Sequence, residues 1–146
     1  MKNNFVCINS SEYLYEKPSR KSKISSEILY GEKFKILSKN KYWVRIKTSF
    51  DNYTGYINSL DYEDKFKPTH KIFKLKSIIF TKSSLKIFNQ TNHYLPFASR
   101  ISIIKKNKKF IEYEDNKWIK KKDIKKINHI EKNYLKIFKL FLKTKY

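Results

Sequence analysis

The sequence predicts a mainly β protein, with two small β-barrels in tandem followed by a C-terminal amphipathic α-helix. Three observations predict it. Short runs alternate apolar and polar residues with a period of two, which gives a strand one buried and one wet face. One such unit occurs twice along the chain. After Ile124 the period lengthens to that of a helix.

The repeat is the strongest of the three. Ile28 to Ile46 (ILYGEKFKILSKNKYWVRI) aligns without a gap onto Leu95 to Tyr113 (LPFASRISIIKKNKKFIEY). Phe34 then falls on Ile101, Ile36 on Ile103, Leu37 on Ile104, Asn40 on Asn107, Trp43 on Phe110, Val44 on Ile111 and Ile46 on Tyr113. Upstream, Tyr13 to Ser19 resembles Ile78 to Ser84. Downstream, the segment from Gly55 (GYIN) resembles that from Lys117 (KWIK), reached through a shorter loop.

Within each copy the elements follow in order. Lys17-Pro18-Ser19 signals a turn after a short strand. Gly31 precedes the first strand of a hairpin, where backbone freedom matters. Phe34 and Ile36 alternate with Lys33 and Lys35, and Val44 and Ile46 with Arg45 and Lys47. The intervening SKNK, like KKNK in the second copy, has the polar, Asn-containing character of a hairpin loop. Gly55 sits at a strand start. Between the copies lies Tyr62 to Lys71 (YEDKFKPTHK), a linker or crossing strand where Glu63 and Asp64, with Asp61 just before them, meet Pro68. The expected organisation is a first module over 1–64, a second over 65–126 and the helix over 127–146.

For the helix, Asn128 to Glu131 (NHIE) has capping-box spacing. Ile130, Tyr134, Ile137, Phe138 and Phe141 fall on one face, with Lys132, Lys136, Lys139 and Lys143 opposite, so the helix is expected to run almost to the last residue. Its apolar face suits packing on a protein domain or, as the second reading, a membrane surface.

The chain has 146 residues and a formal net charge of +21. All basic residues except Arg20, Arg45 and Arg100 are lysine, whereas arginine is the usual choice for bidentate recognition of phosphates and bases. Abundant Lys, Asn, Ile, Phe and Tyr with two glycines and one alanine (Ala98) is the composition an AT-rich genome produces. Solvated lysine faces are therefore the first reading, and weak binding to anionic polymers the second. No apolar run approaches the ~18 residues of a membrane span, and the N-terminal residues lack the apolar core of a signal peptide. With a single cysteine, a cytoplasmic location is expected.

Candidate chemistry is sparse. Cys7 lies among Phe5, Val6 and Ile8 and reads as a small buried residue rather than a nucleophile. His70, His93 and His129 lack metal-ligand spacing, so neither a metal nor a cofactor is expected. Glu112, Glu114 and Asp115 cluster near a loop without the marks of a paired acid and base. Two isolated glycines exclude a phosphate-cradling loop. Tyr42, Trp43, Tyr53 and Tyr56, interleaved with lysines, suit either a core and interface role or base stacking. No catalytic residue is identified.

The run YLYEKPSRKSKISSEILYGEKFKILSKNKYWVRI, followed by DNYTGYINSLD, resembles a bacterial SH3 domain, with Pro18-Ser19, Gly31, Trp43 and Gly55-Tyr56-Ile57 in that family's order. The whole chain resembles the non-catalytic front half of NlpC/P60 dipeptidyl-peptidases. The D-x-Y-x-G-Y element at Asp51 to Tyr56, the Pro68-Thr69-His70 linker and the helix EKNYLKIFKLFLKTKY carry that likeness. In that family such a helix leads into a Trp-Gly-Gly turn and an Asp-Cys-Ser segment bearing the nucleophile. The expectation is a region cut before a cysteine-peptidase domain. The resemblance implies two SH3-like barrels that gate and recognise peptidoglycan-derived peptides, cleaved elsewhere at γ-D-glutamyl–diamino-acid bonds. It also implies a role for Tyr53 with Asp51 in recognising the peptide's free N-terminus, since charge-assisted hydrogen bonds are the stronger kind. The alternative is a stand-alone basic SH3-like module for RNA or anionic wall polymers.

Overall fold

The computed structural model describes residues 4–64, 66–142 and 144. The chain divides into two compact units, Met1–Lys67 and Pro68–Tyr146, the second including the helix.

In the first unit, strands β1 (Phe5–Cys7), β2 (Ser11–Tyr15), β3 (Ile24–Leu29), β4 (Lys33–Lys39), β5 (Val44–Thr48), β6 (Thr54–Ile57) and β7 (Tyr62–Glu63) form one antiparallel sheet in the order β3-β2-β6-β5-β4-β1-β7. Alternation works as the sequence implies: Val44 and Ile46 are buried and Arg45 between them is exposed. The core gathers Cys7, Leu14, Ile28, Phe34, Val44, Ile46 and Ile57, with Phe5, Ile36, Leu60 and Tyr62 packed against it. Each large apolar side chain removed from water here contributes about 1.5–3 kcal/mol.

The second unit holds β8 (His70–Ile72), β9 (Lys76–Lys82), β10 (Phe88–Pro96), β11 (Arg100–Ile101), β12 (Lys105–Lys106), β13 (Phe110–Glu114), β14 (Lys117–Lys120) and β15 (Ile124–Lys126), with a 3-10 turn at Lys121–Asp123 and helix α1 (Tyr134–Phe141). Two antiparallel sheets result, β10-β9-β14-β13-β12 and β11-β8-β15.

The strand pairings repeat between units. The pairs β2–β3, β2–β6, β5–β6, β4–β5, β1–β4 and β1–β7 correspond to β9–β10, β9–β14, β13–β14, β12–β13, β8–β11 and β8–β15. The single strand β4 is split into β11 and β12 in the second unit, so one sheet becomes two. Buried residues correspond as well: Ile28 with Leu95, Phe34 with Ile101, Val44 with Ile111, Ile46 with Tyr113 and Ile57 with Ile119.

The hairpin loops are built alike. Asn40 Oδ1 accepts from the backbone N–H groups of Tyr42 (2.9 Å) and Trp43 (2.8 Å), and Asn107 Oδ1 from those of Lys109 (2.9 Å) and Phe110 (2.8 Å). These are Asx turns, in which a side-chain carbonyl mimics the backbone. The segment between the copies is not one linker. Tyr62–Glu63 pairs with β1 of the first unit, and His70–Ile72 opens the second.

The helix departs from expectation. It begins at Tyr134 rather than near Asn128, and Ile130 lies outside it with 79% of its surface exposed. The capping-box residues do other work. Glu131 Oε1 accepts from the Asn133 backbone N–H at 3.1 Å, and Asn133 occupies the cap position without a side-chain bond. The Glu131 carboxylate is thus used ahead of the helix, and the first helical turn contains no acid to oppose the dipole. Ile137 and Leu140 are half-buried, Phe141 meets Phe97 edge-on at 5.3 Å, and Tyr134, Leu135 and Phe138 are exposed. Nor does it run almost to the last residue: it ends at Phe141 with Leu142 as its C-cap, and Thr144 lies outside it, while Lys143 of the expected lysine stripe lies outside the described residues.

Candidate functional site

The residues from Thr48 to Tyr53 form the turn between β5 and β6. Thr48 N–H donates to the Tyr53 carbonyl at 2.9 Å, and Tyr53 N–H donates to Thr48 Oγ1 at 2.9 Å. Tyr53 N–H also reaches Asp51 Oδ1 at 3.2 Å, and the Thr48 hydroxyl donates to that same carboxylate oxygen. Asn52 takes a left-handed conformation (φ 60°), which Asn tolerates better than most residues. The Thr48 hydroxyl above all, against the opposing effect of burial and with the Tyr53 N–H adding, holds the Asp51 carboxyl below its ordinary range.

Asp51 and Tyr53 are thus brought together, but through the main chain. Asp51 Oδ1 is committed to the turn, whereas Oδ2 has no partner among the described residues. The Tyr53 side chain is 39% exposed. A neighbouring cavity of about 330 Å³ is lined by Asn4, Lys35, Lys47, Thr48, Ser49 and Asn52. Neither Asp51 nor Tyr53 lines it, and its two lysines repel an ammonium group. What the turn offers a cation is the outer carboxylate oxygen of Asp51.

The other candidates fall into structural roles. Cys7 is fully buried, its Sγ donating to the Asn9 carbonyl at 3.6 Å. Burial above all, with Glu12, Glu32 and Asp61 adding, pushes its thiol up to about 12, so it is protonated and poorly nucleophilic at neutral pH. His70 Nδ1 lies 2.9 Å from Thr69 Oγ1, and burial, then Lys126 and Lys106, lowers its pKa. His129 stands edge-on to Phe73 at 5.5 Å, and His93 has its backbone N–H on Thr91 Oγ1. No group of three or more His, Cys, Asp or Glu that could hold a metal exists among the described residues.

Glu112 is buried, with Oε1 accepting from Asn116 N–H at 3.0 Å and Oε2 lying 3.6 Å from Lys105 Nζ. Glu114 pairs with Lys117 at 2.7 Å, so these acids close the β13–β14 turn. Trp43 packs edge-on against Tyr15 at 5.7 Å, and Arg45 lies over the Tyr56 ring. Tyr42 projects into solvent at 64% exposure.

Sequence reasoning missed a groove on the second unit lined by Lys108, Lys109, Phe110, Lys120, Lys121 and Lys122. Its signal was present as two lysine clusters, KKNKKF and KKK. Their convergence depends on the β13–β14 pairing, which the one-dimensional pattern does not display.

Residues 14–61 match the family model described as the bacterial dipeptidyl-peptidase SH3 domain. No curated protein matches the chain. Among solved structures, a similar one is the crystal structure of an NlpC/P60 family protein from Bacillus cereus ATCC 10987, with a TM-score of 0.63 and 13% identity. The match covers 84% of this chain and 55% of that one, so the chain spans about half the length of that protein. At this identity the likeness is one of fold. No helix among the described residues is long and apolar enough to cross a membrane. The chain is mainly β, its residues 14–61 match a bacterial SH3 domain model, and its fold is similar to part of that NlpC/P60 family protein.

Proposed function

We propose that this chain is the non-catalytic, substrate-recognising region of a peptidase acting on peptidoglycan-derived peptides, with the chemistry performed by a catalytic domain of the NlpC/P60 kind. The observation that carries the proposal is the match of residues 14–61 to the bacterial dipeptidyl-peptidase SH3 domain. That span contains the whole Thr48–Tyr53 turn.

In this reading the turn recognises the free N-terminal ammonium of the peptide. Asp51 is kept ionised by its hydrogen bonds, and its outer oxygen accepts from the ammonium while the exposed Tyr53 phenol supplies a second acceptor. Such a contact at an exposed site is weak alone. Its worth lies in selecting peptides with an unblocked end and in orienting them.

The test is calorimetric titration of the full chain with L-Ala-γ-D-Glu-diamino-acid tripeptide and with its N-acetylated form. Weak binding of the free tripeptide, lost on acetylation, is expected. Equal binding of both forms, or binding of neither at millimolar peptide, contradicts the assignment.

A further inference from the structure

The excess charge is unevenly shared. Residues 1–67 hold 13 Lys and Arg against 8 Asp and Glu, whereas residues 68–146 hold 21 against 5. A compositional bias toward lysine acts on both units alike and does not account for this difference. Within the second unit the lysines converge on the Phe110 groove, which has a volume of about 530 Å³.

The groove is held in shape by the backbone. Asn107 fixes the loop before Phe110, and Lys121 N–H donates to the Lys109 carbonyl at 2.8 Å, tying the 3-10 turn to that loop. Lys108, Lys109, Lys120, Lys121 and Lys122 are thereby held around one opening. None of the five has an acidic partner among the described residues. The floor is aromatic. Phe110 stacks on Phe88 at 4.2 Å with an interplanar angle of 8°, and Phe80 meets it edge-on at 5.0 Å.

The first unit is its internal control. There Trp43 replaces Phe110, and the counterparts of Lys120, Lys121 and Lys122 are Asn58, Ser59 and Leu60. Asn58 Nδ2 donates to the Tyr42 carbonyl at 3.0 Å, and its Oδ1 accepts from Arg20 at 2.6 Å. The same corner of the fold is thus bridged by neutral hydrogen bonding and one arginine, with Lys41 the one lysine kept of the five.

We propose that this groove binds single-stranded nucleic acid, with a base against the Phe110 floor and flanking phosphates on the lysines. Five cations around an aromatic floor, with Lys120 Nζ 5.6 Å from the centre of the Phe80 ring, suit a ligand that alternates planar apolar faces with phosphodiesters. A glycerol-phosphate polymer supplies the charges but leaves the floor unused. Lysine rather than arginine, and an open groove, predict little sequence preference.

The test is fluorescence anisotropy of the full chain with labelled U12. Three variants accompany it: Lys108→Gln/Lys109→Gln/Lys121→Gln, Phe110→Leu, and the control Lys17→Gln/Lys21→Gln/Lys41→Gln on the first unit. If all five lysines engage phosphates, affinity falls about 100-fold between 50 and 200 mM salt, and the groove triple variant lowers the salt slope by about 2. Phe110→Leu weakens binding about fivefold or more while retaining most of the slope. The control variant stays close to wild type. Equal losses in the two triple variants, or absence of binding at 50 mM salt, overturn the proposal. So does equal competition by poly(glycerol phosphate) combined with an unaffected Phe110→Leu variant, which assigns the groove to a phosphate polymer.

Discussion

Gly31 and Ala98 occupy the same position in the two units, and both backbones are left-handed, with φ of 81° and 71°. Gly31 N–H donates to the Cys7 carbonyl at 2.8 Å, and Ala98 N–H to the Ile72 carbonyl at 3.0 Å. The turn needs this conformation in both places. Only the first unit supplies the residue suited to it, since a left-handed L-residue costs roughly 1–2 kcal/mol. Ala98→Gly is therefore expected to stabilise the second unit by about 1 kcal/mol after the entropy cost of glycine, and Gly31→Ala to destabilise the first by about 1–2 kcal/mol. Urea unfolding followed by hydrogen exchange assigns each change to its unit.

Gly55 is needed for a different reason. A Cβ there would stand 2.7 Å from Leu14 Cβ and 3.1 Å from its Cγ, in the buried crossing of β2 and β6. Leu14 is fully buried and has no room to retreat. Gly55→Ala is expected to cost about 1–3 kcal/mol by overpacking, and Gly55→Ala/Leu14→Ala to lose less than the sum of the single changes. Denaturation midpoints of the three variants check this.

A polar exchange separates the units. Ser77 Oγ donates to the buried Asp123 carboxylate at 2.9 Å, but its counterpart Glu12 faces Asp61, the counterpart of Asp123. Burial, then the Asp61 charge, raises the Glu12 pKa, so its ionised form opposes folding at neutral pH and the penalty fades as pH falls through the folded-state pKa. Glu12→Ser is expected to stabilise the chain by about 1 kcal/mol at pH 7 by removing the like charge and restoring a hydrogen bond. The gain narrows toward acid pH. Thermal melts of both proteins across pH measure it.

Cys7 is expected to resist thiol reagents in the native protein, with labelling limited by opening of the first unit. Destabilising that unit with Gly31→Ala should raise the labelling rate about fivefold to thirtyfold, following the population of the open state. Ala98→Gly should leave it unchanged.

Much of the fold was legible because the duplication left its mark on residues that packing constrains. Phe34 and Ile101, or Ile46 and Tyr113, differ in shape but share an inward position, and Asn40 and Asn107 hold the same loop. The Gly31–Ala98 equivalence lay within the aligned segments, yet nothing in an alanine reveals a left-handed backbone. The helix start was misjudged because Asn128 and Glu131 have the right spacing while the pairing of β15 with β8 holds the preceding chain extended. At the candidate site, Asp51 and Tyr53 were readable as neighbours. That Thr48 engages one oxygen of Asp51 was not, because the bond depends on the left-handed Asn52. The lysine groove was hidden for a related reason: its two clusters are joined by strand pairing, not by sequence.

Recognition of a free peptide ammonium by the Thr48–Tyr53 turn, as proposed, is the point to test first. Its most direct measurement is amide chemical-shift mapping of the chain with free and N-acetylated L-Ala-γ-D-Glu-diamino-acid peptide, on wild type and on Asp51→Asn. Asparagine keeps an acceptor for Thr48 and Tyr53 N–H, so the turn survives while the charge is lost. Shifts centred on residues 48–53 are expected with the free peptide alone and are abolished in Asp51→Asn. Equal shifts with the acetylated peptide, or an unchanged response in Asp51→Asn, would contradict it.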